Sequence, residues 1–193
     1  MMTSESAARH LLHLASAGDE PVPVTHMQLQ KLVYYAQGWS LALRSMPLFA
    51  SRIEAWPHGP VVKDLYRVFA PARARSIDPI EGCAAQDASN GELQLLDSIW
   101  RGYGRFSASY LRELTHAEAP WLDARRGLPD DAPSSVEITH ESMRTYFQGL
   151  DSRACARFGI TRKELDLAIA GARTGPCIPW SDFKQGLSGA MAD

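Results

Sequence analysis

Residues 25–69 (THMQLQKLVYYAQGWSLALRSMPLFASRIEAWPHGPVVKDLYRVF) constrain the fold more than any other part of the chain. Leu29, Leu32, Val33, Ala36, Trp39, Ser40 and Leu43 recur at i, i+3, i+4 and i+7, the spacing of one buried helical face. Thr25 is placed to cap this helix, and Gln28 three residues on completes a capping-box pattern. Pro47 stops it. The RIEAW run at 52–56 alternates polar and apolar residues, as a short strand or extended arm does. Gly59 then allows a tight backbone, and Pro60 suits the first position of a second helix. Val61, Val62, Leu65, Val68 and Phe69 would form the apolar face of that helix.

Around this centre the remaining helices follow from caps and breakers. A first helix spans residues 3–17, and a stretch rich in proline and glycine at 71–91 reads as a long loop. Residues 92–103 form a helix burying Leu93, Leu96, Ile99, Trp100 and Tyr103. Ser107 caps a short helix, Pro120 opens another, and Thr139 caps one carrying Met143, Tyr146, Phe147 and Leu150. Thr161 and Glu164 form a capping box ahead of a further helix, and a last short one starts near Pro179. The expectation is a mostly α protein: a compact single helical domain over residues 3–150, at most one small β-hairpin, and a helical C-terminal extension over 151–193. The core should include Leu29, Leu32, Val33, Ala36, Trp39, Leu65, Phe69, Leu96 and Trp100.

Little points to catalysis or metal binding. Cys83, Cys155 and Cys177 lie far apart with no Cys-x-x-Cys spacing, which fits a reducing cytoplasm better than a disulfide framework or zinc site. His10 and His13 are neighbours on one helix but lack the two further ligands that zinc needs, and they read as a solvated face. His116 near Glu118 has no nucleophile beside it. No phosphate-cradling Gly-rich loop is present. No catalytic residue, metal or cofactor is therefore expected. No apolar run reaches the ~18 residues of a membrane span. The formal charge of −2 does not favour a nucleic-acid partner. The best candidate recognition helix, residues 161–173, carries Arg162, Lys163 and Arg173 but is interrupted by Glu164 and Asp166. It is the basis of the alternative reading, a DNA-binding autoregulator.

The stronger signal is aromatic. Tyr34, Tyr35, Trp39, Trp56, Tyr66, Trp100, Tyr103, Tyr110 and Trp121 are spread through 34–121. Tyr34 and Lys31 fall off the apolar helical face, as do Gln30 and Gln37. Exposed tyrosine beside Trp or Arg is the composition of protein-binding hot spots.

The combination LQKLVYYAQGW, PLF, EAWPHGPVV and LYRVF, followed by IWRGYGRFSASYLRELTHAEAPWLDAR at 99–125, resembles the Panacea-domain antitoxin family. The resemblance covers roughly residues 28–147. It departs at His58, where the family pattern carries an aromatic, usually Tyr. The resemblance implies a cognate toxin as partner, neutralised by direct contact. In the SocA-like, proteolytic-adaptor branch it further implies delivery of the toxin to the ClpXP protease. The surface expected to hold the toxin is the corner of Trp56, His58, Gly59 and Pro60, with Gln30, Lys31 and Tyr34 beside it on the exposed side of the central helix. Trp180 and Phe183, in the C-terminal extension, form the runner-up surface.

Overall fold

The computed structural model describes residues 1–17, 20–72, 75–77, 85 and 87–158. Among them run seven α-helices and one two-stranded antiparallel sheet. These are α1 (Ser4–Ser16), α2 (His26–Arg44), β1 (Ile53–Trp56), β2 (Gly59–Val62), α3 (Lys63–Phe69), α4 (Asn90–Tyr103), α5 (Ala108–His116), α6 (Ala119–Arg125) and α7 (His140–Phe158). The protein is mostly α-helical, as its pattern of caps and periodic apolar residues predicts.

Helix α2 is the axis of the structure. Helices α1, α4, α5 and α7 and strand β2 all pack against it, so it is buried along nearly its whole length. Leu29, Leu32, Val33, Ala36 and Trp39 are core, with Leu65, Phe69 and Leu96; Trp100 packs against that core half-buried. At Gly38 a Cβ would strike the Phe147 ring, so glycine is what lets α7 lie close against α2. The N-cap of α2 is Thr25, whose hydroxyl accepts from the Gln28 amide at 3.3 Å. Only half of the expected capping box forms. The Gln28 side chain instead reaches the carbonyls of Gly104 and Phe106 at 3.0 and 2.9 Å, tying the helix to the segment after α4. Helix α2 ends at Ser45 in the left-handed conformation, two residues before Pro47.

The Gly59-Pro60 pair does not open a helix. Residues 59–62 form β2, pairing with β1 in the register Ile53↔Val62 to Trp56↔Gly59, and α3 starts only at Lys63. Pro60 sits at an outward-facing position of a strand, where no N–H is required of it. Val61 and Val62 are consequently strand residues, and Val68 is exposed on α3. Helix α7 runs without a break past residue 150, where the extension was expected to begin. The expected helices at 161–173 and after Pro179, with Trp180 and Phe183, lie outside the described residues, as do residues 73, 74, 78–84 and 86 of the expected loop at 71–91. No helix among the described residues is long and apolar enough to cross a membrane.

Candidate functional site

The hairpin β1–β2 turns over two residues, Pro57 and His58. Gly59 follows with φ +94°, and a Cβ there would lie 2.7 Å from Thr115 Oγ1 and 2.8 Å from Lys31 Nζ. Glycine is thus required twice over, by backbone conformation and by close approach. The outward-facing backbone of both strands is engaged. On β2, the Val62 amide donates to Gln30 Oε1 at 2.8 Å and the Pro60 carbonyl accepts from Lys31 Nζ at 3.0 Å. On β1, the Ala55 amide donates to the Val136 carbonyl and the Ile138 amide to the Ile53 carbonyl, both at 2.8 Å. Arg125 donates to the Ala55 carbonyl at 3.2 Å, and the Trp121 indole to the Trp56 carbonyl at 2.9 Å. Edges closed in this way resist strand addition by a partner. The outward backbone groups of this corner are thus not available for strand pairing.

Beneath the hairpin lies a buried polar cluster. Tyr34 and Tyr35, successive residues of α2, both donate to the Glu118 carboxylate, at 2.9 and 2.8 Å. Desolvation pushes Glu118 up to about 7, against the opposing pull of the two hydroxyls and of Lys31. Desolvation likewise brings the Lys31 ammonium down to about 7; the Arg112 charge lowers it further and Glu118 opposes the shift. Tyr35 stacks on Tyr103 at 4.2 Å, and the Tyr103 hydroxyl accepts from the Trp39 indole at 3.1 Å. Gln37 braces the turn after α2 in the same manner. Its carbonyl oxygen accepts from the Leu48 and Phe49 amides, while its amide donates to the Phe49 carbonyl and lies 2.9 Å from His140. Burial keeps His116 neutral, down at about 4, stacked 3.9 Å from the Trp121 ring.

Gln30, Lys31 and Tyr34 are therefore not on an exposed side of α2. All three are 2% exposed or less. Their polar groups are spent on the hairpin and on Glu118, which is why they can lie off the apolar stripe and still be buried. Gly59 and Pro60 are buried as well. Trp56 is half-buried; its indole N–H donates to Glu54 at 2.8 Å, and its ring packs 4.7 Å from Tyr66. Burial tends to raise the Glu54 carboxyl, but the Trp56 indole and the Lys63 ammonium outweigh it and hold it below the usual range. Of the expected corner, His58 is exposed. Tyr66, 41% exposed, extends the aromatic surface from Trp56.

His10 is likewise not solvated. It is buried against α4, with Nε2 3.2 Å from Asp97. Glu118, Trp121 and Arg125 were not among the candidate site residues read from the sequence. Glu118 occupies the N-cap of α6 but caps nothing, because its carboxylate accepts from the two tyrosines, an arrangement visible only in the fold.

The family model described as antitoxin SocA-like, Panacea domain, matches residues 29–122. "Antitoxin SocA" of Caulobacter vibrioides (strain NA1000 / CB15N) is 33% identical over 133 residues, covering 61% of this chain and 68% of that protein. No solved structure matches.

Proposed function

The chain belongs to the SocA-like, Panacea-domain antitoxin family, and from that premise we propose that it neutralises a cognate toxin by direct protein–protein contact at the hairpin tip. The observation that supports this reading is the contrast within the corner. The hairpin backbone is fixed from inside by Gln30, Lys31, Trp121 and Arg125, while His58 is exposed and Trp56 half-exposed beside Tyr66. A side chain presented on so constrained a backbone binds at a small cost in ordering entropy. Aromatic anchors of this kind dominate protein interfaces.

The experiment is co-expression with any small toxic protein found encoded beside this chain. The two should co-purify, and the chain should restore growth to cells expressing the toxin. If the toxin kills cells despite full expression of the folded chain, the antitoxin reading is wrong for that pair. The mode of neutralisation is read by adding purified ClpXP. Delivery would appear as toxin degradation that needs the chain while the chain itself survives, and occlusion as an intact, inactive toxin. Trp180→Ala provides the competing arm. If it folds and fails to rescue while His58→Ala rescues fully, the C-terminal extension holds the toxin instead.

A further inference from the structure

Residues 136–138 lie along β1 as a short third strand. They run antiparallel to it through the single bridge Glu54↔Glu137, flanked by the Ala55 amide on the Val136 carbonyl and the Ile138 amide on the Ile53 carbonyl. Val136 and Ile138 thus direct backbone groups toward β1, and Glu137 between them directs its N–H and C=O the other way. Among the described residues, neither of those two groups has a hydrogen-bond partner. On the opposite edge of the sheet, β2, the Val62 amide and the Pro60 carbonyl are taken by Gln30 and Lys31. One edge is therefore closed from within, and the other ends on an open backbone.

This open edge faces solvent. Ser135 is exposed, Val136 is 45% exposed and the Glu137 side chain 39%. Proline and lysine, common guards of an exposed edge, are both missing from residues 134–139, SSVEIT. The two faces of the strand differ. Glu137 lies on one with Arg52, whose guanidinium pairs with it at 2.6 Å. Val136 lies on the other, beside the core residue Ile138.

The geometry points to Glu137 as the centre of a docking edge for an extended segment of a protein partner. The segment adds antiparallel to residues 136–138, with Lys or Arg opposite Glu137 and an apolar residue on each side of that cation. The apolar pair then covers Val136. A second copy of this chain fits less well. Pairing about a two-fold axis at Glu137 sets two glutamates directly opposite, where like charges destabilise and opposite charges stabilise. The adjoining chain favours the same choice. Residues 127–143 carry Asp130, Asp131, Glu137 and Glu141 and no Lys or Arg. Of the cations bordering this stretch, Arg52 is paired with Glu137, Lys63 with Glu54, and Arg125 is buried against three carbonyls, while Arg126 and Arg144 stand just outside it. The edge is separate from the tip at His58, and this assignment does not rest on the toxin contact proposed there.

The test is an NMR titration of the full chain with three end-blocked peptides: TTVKVTT, TTVEVTT, and TTVKVTT N-methylated at the lysine, which cannot donate from that residue. TTVKVTT should shift the Glu137 and Ile138 amides and slow hydrogen exchange at Glu137. The glutamate and N-methylated peptides should each bind at least about fivefold more weakly. A folded Glu137→Lys chain should reverse the preference and take TTVEVTT over TTVKVTT. Equal binding of the N-methylated and unmodified peptides to the wild type would overturn the strand pairing, whatever the variant does. Shifts confined to the hairpin tip, or none at Glu137 with peptide in large excess, would overturn the site. Slower exchange at Glu137 with rising protein concentration and no peptide would give the edge to a second copy and overturn the assignment of its occupant.

Discussion

Glu118 and Lys31 are the residues at which burial and charge conflict most directly, and their titrations act in opposite directions. The folded-state value of Glu118 lies above its unfolded one. Its contribution to stability is therefore fully present below about pH 4.5 and is lost as pH rises through about 7. Lys31 is depressed. Its burial cost is fully present below about pH 7 and is relieved as pH rises toward about 10.5, where the unfolded chain also releases that proton. Glu118→Gln keeps a hydrogen-bond acceptor for the tyrosines without the charge. Its melting temperature relative to wild type should climb between pH 5 and pH 7.5, and a constant difference across that range would show that Glu118 does not titrate there. Gly59→Ala carries two penalties. The left-handed backbone alone costs about 1–2 kcal/mol, and the new methyl meets Lys31 and Thr115. Urea unfolding of a Gly59→Ala chain with wild-type stability would contradict this geometry. The special position of Gly59 was visible in the sequence, but the burial of Lys31 was not. Lysine is rarely buried, and the carbonyl that receives it lies 29 residues away.

At the scale of elements, α2 was legible because its caps and apolar period agree, whereas β2 was misread. Gly-Pro is a good helix opening by local rules. Here the strand pairing of residues 59–62 with β1 overrides those rules, and the capture of Pro60 and Val62 by α2 fixes it. That competition is tertiary, and no window of neighbouring residues contains it. The polar residues of LQKLVYYAQ point the same way. Read on a helical wheel they are surface, yet each finds a specific partner in another part of the chain. Removing one partner should expose this dependence. Gln30→Leu would leave the Val62 amide buried and unsatisfied, costing roughly 1–3 kcal/mol. Hydrogen exchange at Val62 should accelerate well beyond that at Leu32. Equal protection of Val62 in the variant and the wild type would mean that the Gln30 bond does not hold the strand.

For the molecule as a whole, helix α2 joins a conventional core to a polar brace. Trp39→Ala, which removes a buried indole packed on Phe147 and bonded to Tyr103, should cost roughly 3–5 kcal/mol. A loss below about 1 kcal/mol in chemical denaturation would show that α7 does not pack on α2 in this manner. The same organisation separates the family motif into two parts with different duties. Its buried residues secure the hairpin, and its exposed tip is the part proposed to meet a partner. The most direct measurement of that division is the toxin affinity of His58→Ala, taken alongside its melting temperature. The account predicts an unchanged melting temperature and a toxin Kd at least about tenfold weaker, roughly 1.4 kcal/mol of binding. A fully folded His58→Ala chain that binds toxin as tightly as wild type would contradict it.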